Sequence, residues 1–134
     1  ICVALALKAQ KPVKLVLSRE EDMYDHCKYP SIINLKYGLK QDGTITAGEL
    51  KTVADIGGHN IQAYPLLGCM AGWFVSLYRM PHLNFDGTAV YTNKAPACAM
   101  QGYGNPQVSF AVESMMDILA EKLGMDPIEL RLKN

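Results

Sequence analysis

The stretch CAMQGYGNPQ, Cys98 to Gln107, has residue types suited to gripping a ligand. Gly102 and Gly104 admit backbone angles that side chains forbid, and they let another group come close to the main chain. Tyr103 between them offers a ring and a hydroxyl. Asn105 predicts an N-cap and Pro106 the first helical position. The free N–H groups of that helix start point back toward the loop. Such a loop suits a planar, anionic or oxygen-rich ligand held by backbone donors. The same composition also serves a plain strand-to-helix turn that needs glycine.

Other reactive side chains are scattered. Cys2, Cys27, Cys69 and Cys98 form no CxxC pair and match no zinc or iron–sulfur spacing. Most lie in or beside apolar segments, where a thiol acts as a small hydrophobe. A reducing, cytoplasmic compartment is the expectation, although two disulfides are compatible with the count. His26, His59 and His82 are isolated and read as solvated or structural. Glu20, Glu21 and Asp22 form an acid cluster at a helix start. Glu113 and Glu121 are assigned to the solvent face of a helix. No catalytic residue and no metal ligand is assigned in the chain. Met100, Met115, Met116 and Met125 read as core filling. Trp73 and Phe74 line a cavity or anchor an irregular middle segment.

The elements that position these residues alternate between helix and strand. Ile1 to Ala9 predicts a helix. Val13 to Leu17 predicts a strand buried on both faces. Ser18 with Glu21 has capping-box spacing and opens a short helix. Ser31 to Leu39 and Thr44 to Ala54 predict a hairpin turned by Asp42-Gly43. Its inner residues would be Ile45, Ala47, Leu50 and Val53, with a bulge near Gly48. Asp55 to Asn60 reads as loop and Tyr64 to Ala71 as a short helix opened by Pro65. Val75 to Tyr78 and Leu83 to Tyr91 read as extended. A long helix runs from Pro106 to Leu123, with Val108, Ala111, Val112, Met115, Ile118, Leu119 and Leu123 as its apolar set. Gly124 ends it, and Asp126-Pro127 opens a last short helix. The fold class is α+β, or mixed α/β: a hairpin and further strands packed with a long helix and a short following one.

The chain has 134 residues, of which 49% are hydrophobic, enough for one packed core. Its 13 basic and 13 acidic residues cancel, so neither nucleic acid nor an anionic membrane is an expected partner. The opening ICVALALKAQ is too short to span a bilayer. It reads as a helix cut into, so residues 1–134 are expected to be one segment of a larger domain, truncated at both ends.

The run Tyr91-Thr92-Asn93 through Gly102-Tyr103-Gly104-Asn105-Pro106-Gln107 resembles the TN…FRGFG.PQ segment of the molybdenum hydroxylases, the xanthine dehydrogenase and aldehyde oxidase family. Lys11-Pro12-Val13 through Arg19-Glu20-Glu21-Asp22-Met23, the Asp42-Gly43-Thr44-Ile45 turn and Tyr78 with Pro81 are similar to further segments of its large subunit. So is the ending from Ala120 to Asn134, and the resemblance runs collinearly over the whole chain.

The resemblance implies part of a molybdopterin-binding domain. The full assembly would oxidise a heteroaromatic ring carbon or an aldehyde with oxygen from water. Electrons would pass to iron–sulfur clusters and FAD in partner domains or subunits. Met100, Gln101 and Gly102 would then lie at the molybdenum–pterin cofactor, and Tyr103 and Cys69 at a small-molecule substrate. The catalytic glutamate is expected outside this chain, which would be inactive alone. Gln101 stands where the family carries Arg, and Cys69 near a substrate-orienting Arg of xanthine dehydrogenases. Both changes remove a fixed charge and argue against xanthine. Two alternatives remain: a non-catalytic scaffold paralogue, and a stand-alone small-molecule binding module.

Overall fold

The computed structural model describes residues 1–25, 27–59 and 62–134. His26 and Asn60 lie outside the described residues. Five helices and three strands occur among the rest: α1 (Cys2–Ala9), α2 (Arg19–Asp25), β1 (Ser31–Leu39), β2 (Ile45–Asp55), α3 (Ala63–Leu77), β3 (His82–Val90), α4 (Asn105–Leu123) and α5 (Pro127–Lys133). The strands form one sheet in the order β1-β2-β3. β1 and β2 pair antiparallel; β3 joins β2 in parallel after the α3 crossover. This is the expected mixed α/β class. No described helix is long and apolar enough to cross a membrane.

The local signals hold where they are self-contained. Ser18 and Glu21 bond reciprocally: Ser18 N donates to Glu21 Oε2 at 2.7 Å and Glu21 N to Ser18 Oγ at 3.2 Å. Asp126 Oδ1 accepts from Ile128 N at 2.8 Å and Glu129 N at 3.1 Å, fixing the start of α5. Gly124 takes the left-handed conformation that ends α4. The start of α4 differs by one residue, because Gly104 rather than Asn105 is its N-cap.

The expected hairpin forms, but its bulge is displaced. Gly38 faces Ala47 and Leu39 faces Ile45, so Thr46 is the extra residue. Its hydroxyl donates to the Gly38 carbonyl at 3.0 Å. The shift in phase turns Gly48, Leu50, Thr52 and Ala54 inward alongside Ile45. Ala47 and Val53 therefore face away from the core, and Val53 is exposed.

Three other expectations change. Residues 13–17 form no strand, and Leu15, Val16 and Leu17 are exposed. A strand that is apolar on both faces needs partners at its edges and layers over its faces, and the described residues supply neither. Val75 to Leu77 continue α3 instead of extending. Leu66, Met70 and Phe74 fall four residues apart and bury one helical stripe. The buried stripe of α4 is Val108, Val112, Met116 and Ala120. Ala111, Met115 and Ile118, read as core, instead line an open groove of about 440 Å³ against Ile33 and Leu35 of β1.

The core lies between the sheet and the pair α3 and α4. Phe74 is fully buried and stacks on Tyr37, with ring centroids 6.4 Å apart. Trp73 is half exposed, and its indole N–H donates to the Ser109 hydroxyl, tying α3 to α4. Glu113 is partly exposed, with 40% of its side chain open to solvent, but it also ties elements together. It accepts from the Tyr78 hydroxyl at 2.7 Å and from Arg131 Nε at 2.7 Å, joining the end of α3 to α4 and α5.

Candidate functional site

The loop before α4 has an uncommon backbone. Gln101 (φ 34°), Gly102 (φ 103°), Tyr103 (φ 44°) and Gly104 (φ 94°) all have positive φ. Two of the four carry side chains, and such angles persist only where surrounding structure imposes them. Gly104 is buried; a Cβ there would lie 2.7 Å from Met70 Cγ and 3.1 Å from Leu66 Cδ1. Glycine at 104 thus lets the loop press onto α3. From Ala99 through Gly104, no backbone N–H donates to an acceptor among the described residues. Of these residues Ala99, Gln101 and Gly102 are exposed and Met100 and Tyr103 half-buried, which leaves their donors for another partner, while Gly104 is buried.

Side chains hold this loop from three directions. The Tyr103 hydroxyl donates to the Gln62 carbonyl at 2.8 Å, just before α3. The Tyr103 ring meets Tyr29 edge to face at 6.0 Å. Lys28 Nζ donates to the Gln101 carbonyl at 3.2 Å, which brings an ammonium to the loop although position 101 itself is neutral. Gln107 Nε2 donates to the Tyr29 carbonyl at 2.9 Å, and its Oε1 is buried without a partner among the described residues.

The structure brings the five sequence-derived residues into one region. Met100 is half-buried, and Gln101 and Gly102 are exposed on the loop. Cys69 is exposed on α3, close enough to act on Tyr103. The Tyr103 phenol is pushed above its ordinary value by burial first, then by Tyr29 and Cys69. The Cys98 thiol is raised too, by burial and then by Asp25 and Cys27. All four cysteines are free. No three His, Cys, Asp or Glu side chains converge among the described residues.

The loop's approach is fixed by residues to which no site role was assigned from the sequence. Residues 92–97 form a strap over the turn that follows β2. Thr92 N donates to Gly57 O at 3.1 Å, Gly58 N to Lys94 O at 3.1 Å and Ala97 N to Ile56 O at 3.2 Å. Gly57 (φ 74°) has no room for a side chain, since a Cβ would lie 2.3 Å from Ala95 O. The strap then meets Cys27: Cys27 N donates to Pro96 O at 3.1 Å, and Cys98 N to Cys27 O at 3.0 Å. Asp55 accepts from Gly57 N, Thr92 Oγ1 and Lys94 Nζ. The Asp-x-Gly spacing is a readable turn signal, but its partners 37 and 39 residues away are not.

Lys94, then Thr92 and Gly57, hold the Asp55 carboxyl at about 2. Folding lowers this group below its ordinary value of 3.8, so its stabilisation is complete above that value and is lost as pH falls toward 2. The melting-temperature gap between wild type and Asp55→Asn is expected to narrow from about pH 5 to about pH 3. Thermal melts of the full-length protein across that range check it.

The profile of the molybdopterin cofactor-binding domain matches residues 1–134. A probable xanthine dehydrogenase subunit of Bacillus subtilis is 36% identical over 131 residues, covering 97% of this chain and 18% of that protein. An aldehyde oxidoreductase of Megalodesulfovibrio gigas is 38% identical over 131 residues, covering 96% of this chain and 14% of its own length. The solved CO dehydrogenase of Oligotropha carboxidovorans superposes with a TM-score of 0.83 at 26% identity, covering 99% of this chain and 17% of that one. The chain thus spans less than a fifth of each of these relatives. With the whole of it inside the matched profile, and this similarity in sequence and in fold, the chain belongs to the family of molybdopterin cofactor-binding domains found in molybdenum-containing oxidoreductases.

Proposed function

We propose that residues 1–134 are one segment of a larger domain and form a wall of its molybdopterin and substrate site. The enzyme would be a cytoplasmic hydroxylase or dehydrogenase acting on a heteroaromatic ring carbon or an aldehyde. The observation that carries this reading is the run of backbone N–H groups from Ala99 through Tyr103, on exposed or half-buried residues and with no acceptor among the described residues. They fit an oxygen-rich, anionic group and require no protein ligand to the metal. When bound, the molybdenum–pterin group supplies oxygen transfer from water and takes up the two electrons, which leave through iron–sulfur clusters and FAD in partner domains or subunits.

The chain's own residues bind and orient. Met100, Gln101 and Gly102 offer main-chain donors to the cofactor. Lys28 adds a positive charge at the Gln101 carbonyl. Tyr103 presents its ring to a planar substrate while its hydroxyl is anchored on Gln62. Cys69 lines the same side without a charge, which favours a neutral substrate over an anionic purine. The catalytic glutamate comes from outside the chain, so the segment alone is inactive. The rest of the large subunit is the natural cover for the apolar residues of α1 and residues 15–17.

The test is the molybdenum and pterin content of the native, full-length assembly. About one molybdenum per large subunit is the expected result. None, with iron–sulfur clusters intact, would overturn the reading in favour of a scaffold paralogue. Tyr103→Phe keeps the ring and loses one hydrogen bond. It is expected to cost about 1 kcal/mol of substrate positioning, a several-fold effect falling mainly on KM. Steady-state kinetics of the loaded enzyme measure it.

A further inference from the structure

Asp55 ends β2, and both of its carboxylate oxygens are used. Oδ1 accepts from Gly57 N at 2.9 Å and from the Thr92 hydroxyl at 2.6 Å. Oδ2 accepts from Lys94 Nζ at 2.7 Å. The Asp55 side chain is only 13% exposed, while its partner Lys94 is 65% exposed. Two of the three donors thus belong to the strap and one to the turn beneath it. The strap cannot slide over that turn, because Ala95 and Pro96 already fill the space where a Cβ of Gly57 would stand. Residues 95–98 alone separate Lys94 from the first unpaired donor of the loop. The entry to the loop is thus held by this carboxylate at Thr92 and Lys94 and by the backbone bonds of residues 96–98 to Ile56 and Cys27, and its exit by α4.

We infer that Asp55 is a positioning residue for the cofactor-facing loop, acting through Thr92 and Lys94 and touching no ligand itself. The inference rests on the binding-wall reading of that loop. Bonds to a carboxylate are shorter and stronger than bonds between neutral groups, and here they fix both the height and the direction of the strap. A site built from backbone donors depends on such support, since a shift of about 1 Å at a binding wall is enough to lose productive geometry. A plain structural corner would behave differently, because its loss would loosen the sheet and the helices equally.

Asp55→Asn and Lys94→Met in the full-length large subunit, with its partners, separate the two cases. Asp55→Asn keeps the size of the side chain and removes its charge. Lys94→Met leaves the carboxylate on Thr92 and Gly57. Exchange of the bonded amides of Gly58, Thr92, Ala97 and Cys98 is expected to quicken about tenfold or more in Asp55→Asn, with α3 and α4 staying within about twofold. Lys94→Met should show the smaller rise. Molybdenum retained per large subunit should fall in the same order, and KM should rise more than kcat falls. Unchanged exchange at Gly58, Thr92, Ala97 and Cys98, or an equal rise across α3 and α4, overturns the inference. Wild-type protein without molybdenum would instead sink the binding-wall reading, and the exchange comparison would still decide the role of Asp55.

Discussion

Gly104→Ala is expected to destabilise the domain by about 2–5 kcal/mol and, on the proposed reading of the loop, to empty the site. The backbone angle alone, φ 94°, costs an alanine about 1–2 kcal/mol. The new methyl would also stand 2.7 Å from Met70 Cγ and 3.1 Å from Leu66 Cδ1, both on fully buried side chains. Crowding a packed interior adds about 1–3 kcal/mol. Relief would require the loop to lift from α3, taking Tyr103 off the Gln62 carbonyl. Gly102→Ala is the informative control. Its backbone is as strained, at φ 103°, but its Cβ meets only Pro106 at the surface. Hydrogen exchange in the full-length protein should show α3 loosened by Gly104→Ala and not by Gly102→Ala. Equal behaviour of the two variants would refute the packing argument.

Phe74→Ala is expected to be the more damaging substitution, at about 3–5 kcal/mol. That is a large share of the roughly 5–15 kcal/mol that holds a domain folded. Phe74 sits under the sheet, stacked on Tyr37 and pressed against Gly48. Its removal leaves a cavity between α3 and β2 and takes the stacking partner from the Tyr37 ring, whose hydroxyl lies in the same packed interior. That hydroxyl is buried without a partner among the described residues, and burial already raises it above its ordinary value. Phe74→Leu should recover more than half of the loss, because it refills most of the volume. Soluble yield and exchange rates of β2 amides measure both variants. A Phe74→Ala protein with wild-type exchange in β2 would show that the sheet does not rest on α3.

What the sequence disclosed follows the range of the interactions involved. Ser18 with Glu21, Asp42-Gly43 and Asp126-Pro127 are complete within four residues, so their types and spacing suffice. The limits of α3 depend on what Met70 and Phe74 meet across the core, and a short apolar run has no period that settles helix against strand. Residues 13–17 have strand composition without a strand's neighbours. The inward face of β2 turns on where one bulge falls, and Gly48 was the visible suggestion while Thr46 is the actual place. For the site, the Gly-Tyr-Gly kink and the helix start behind it were legible as local structure, while the ligand roles of Met100, Gln101, Gly102, Tyr103 and Cys69 stand as proposals. Lys28 and Asp55 were not legible, because each acts through a partner dozens of residues away.

The span between Asp55 and Lys94 also sets an order of events during folding. Their ion pair joins residues 39 apart, and the interval contains α3 and β3. Closing so long an interval is entropically unfavourable until other contacts have drawn its ends together. The hairpin and the capped helices need no such closure and can form early. The strap can lock only after β3 has docked on β2 across the α3 crossover. The proposed binding wall would then be among the last parts of the chain to mature, and insertion of a cofactor there would have to wait for a nearly finished protein.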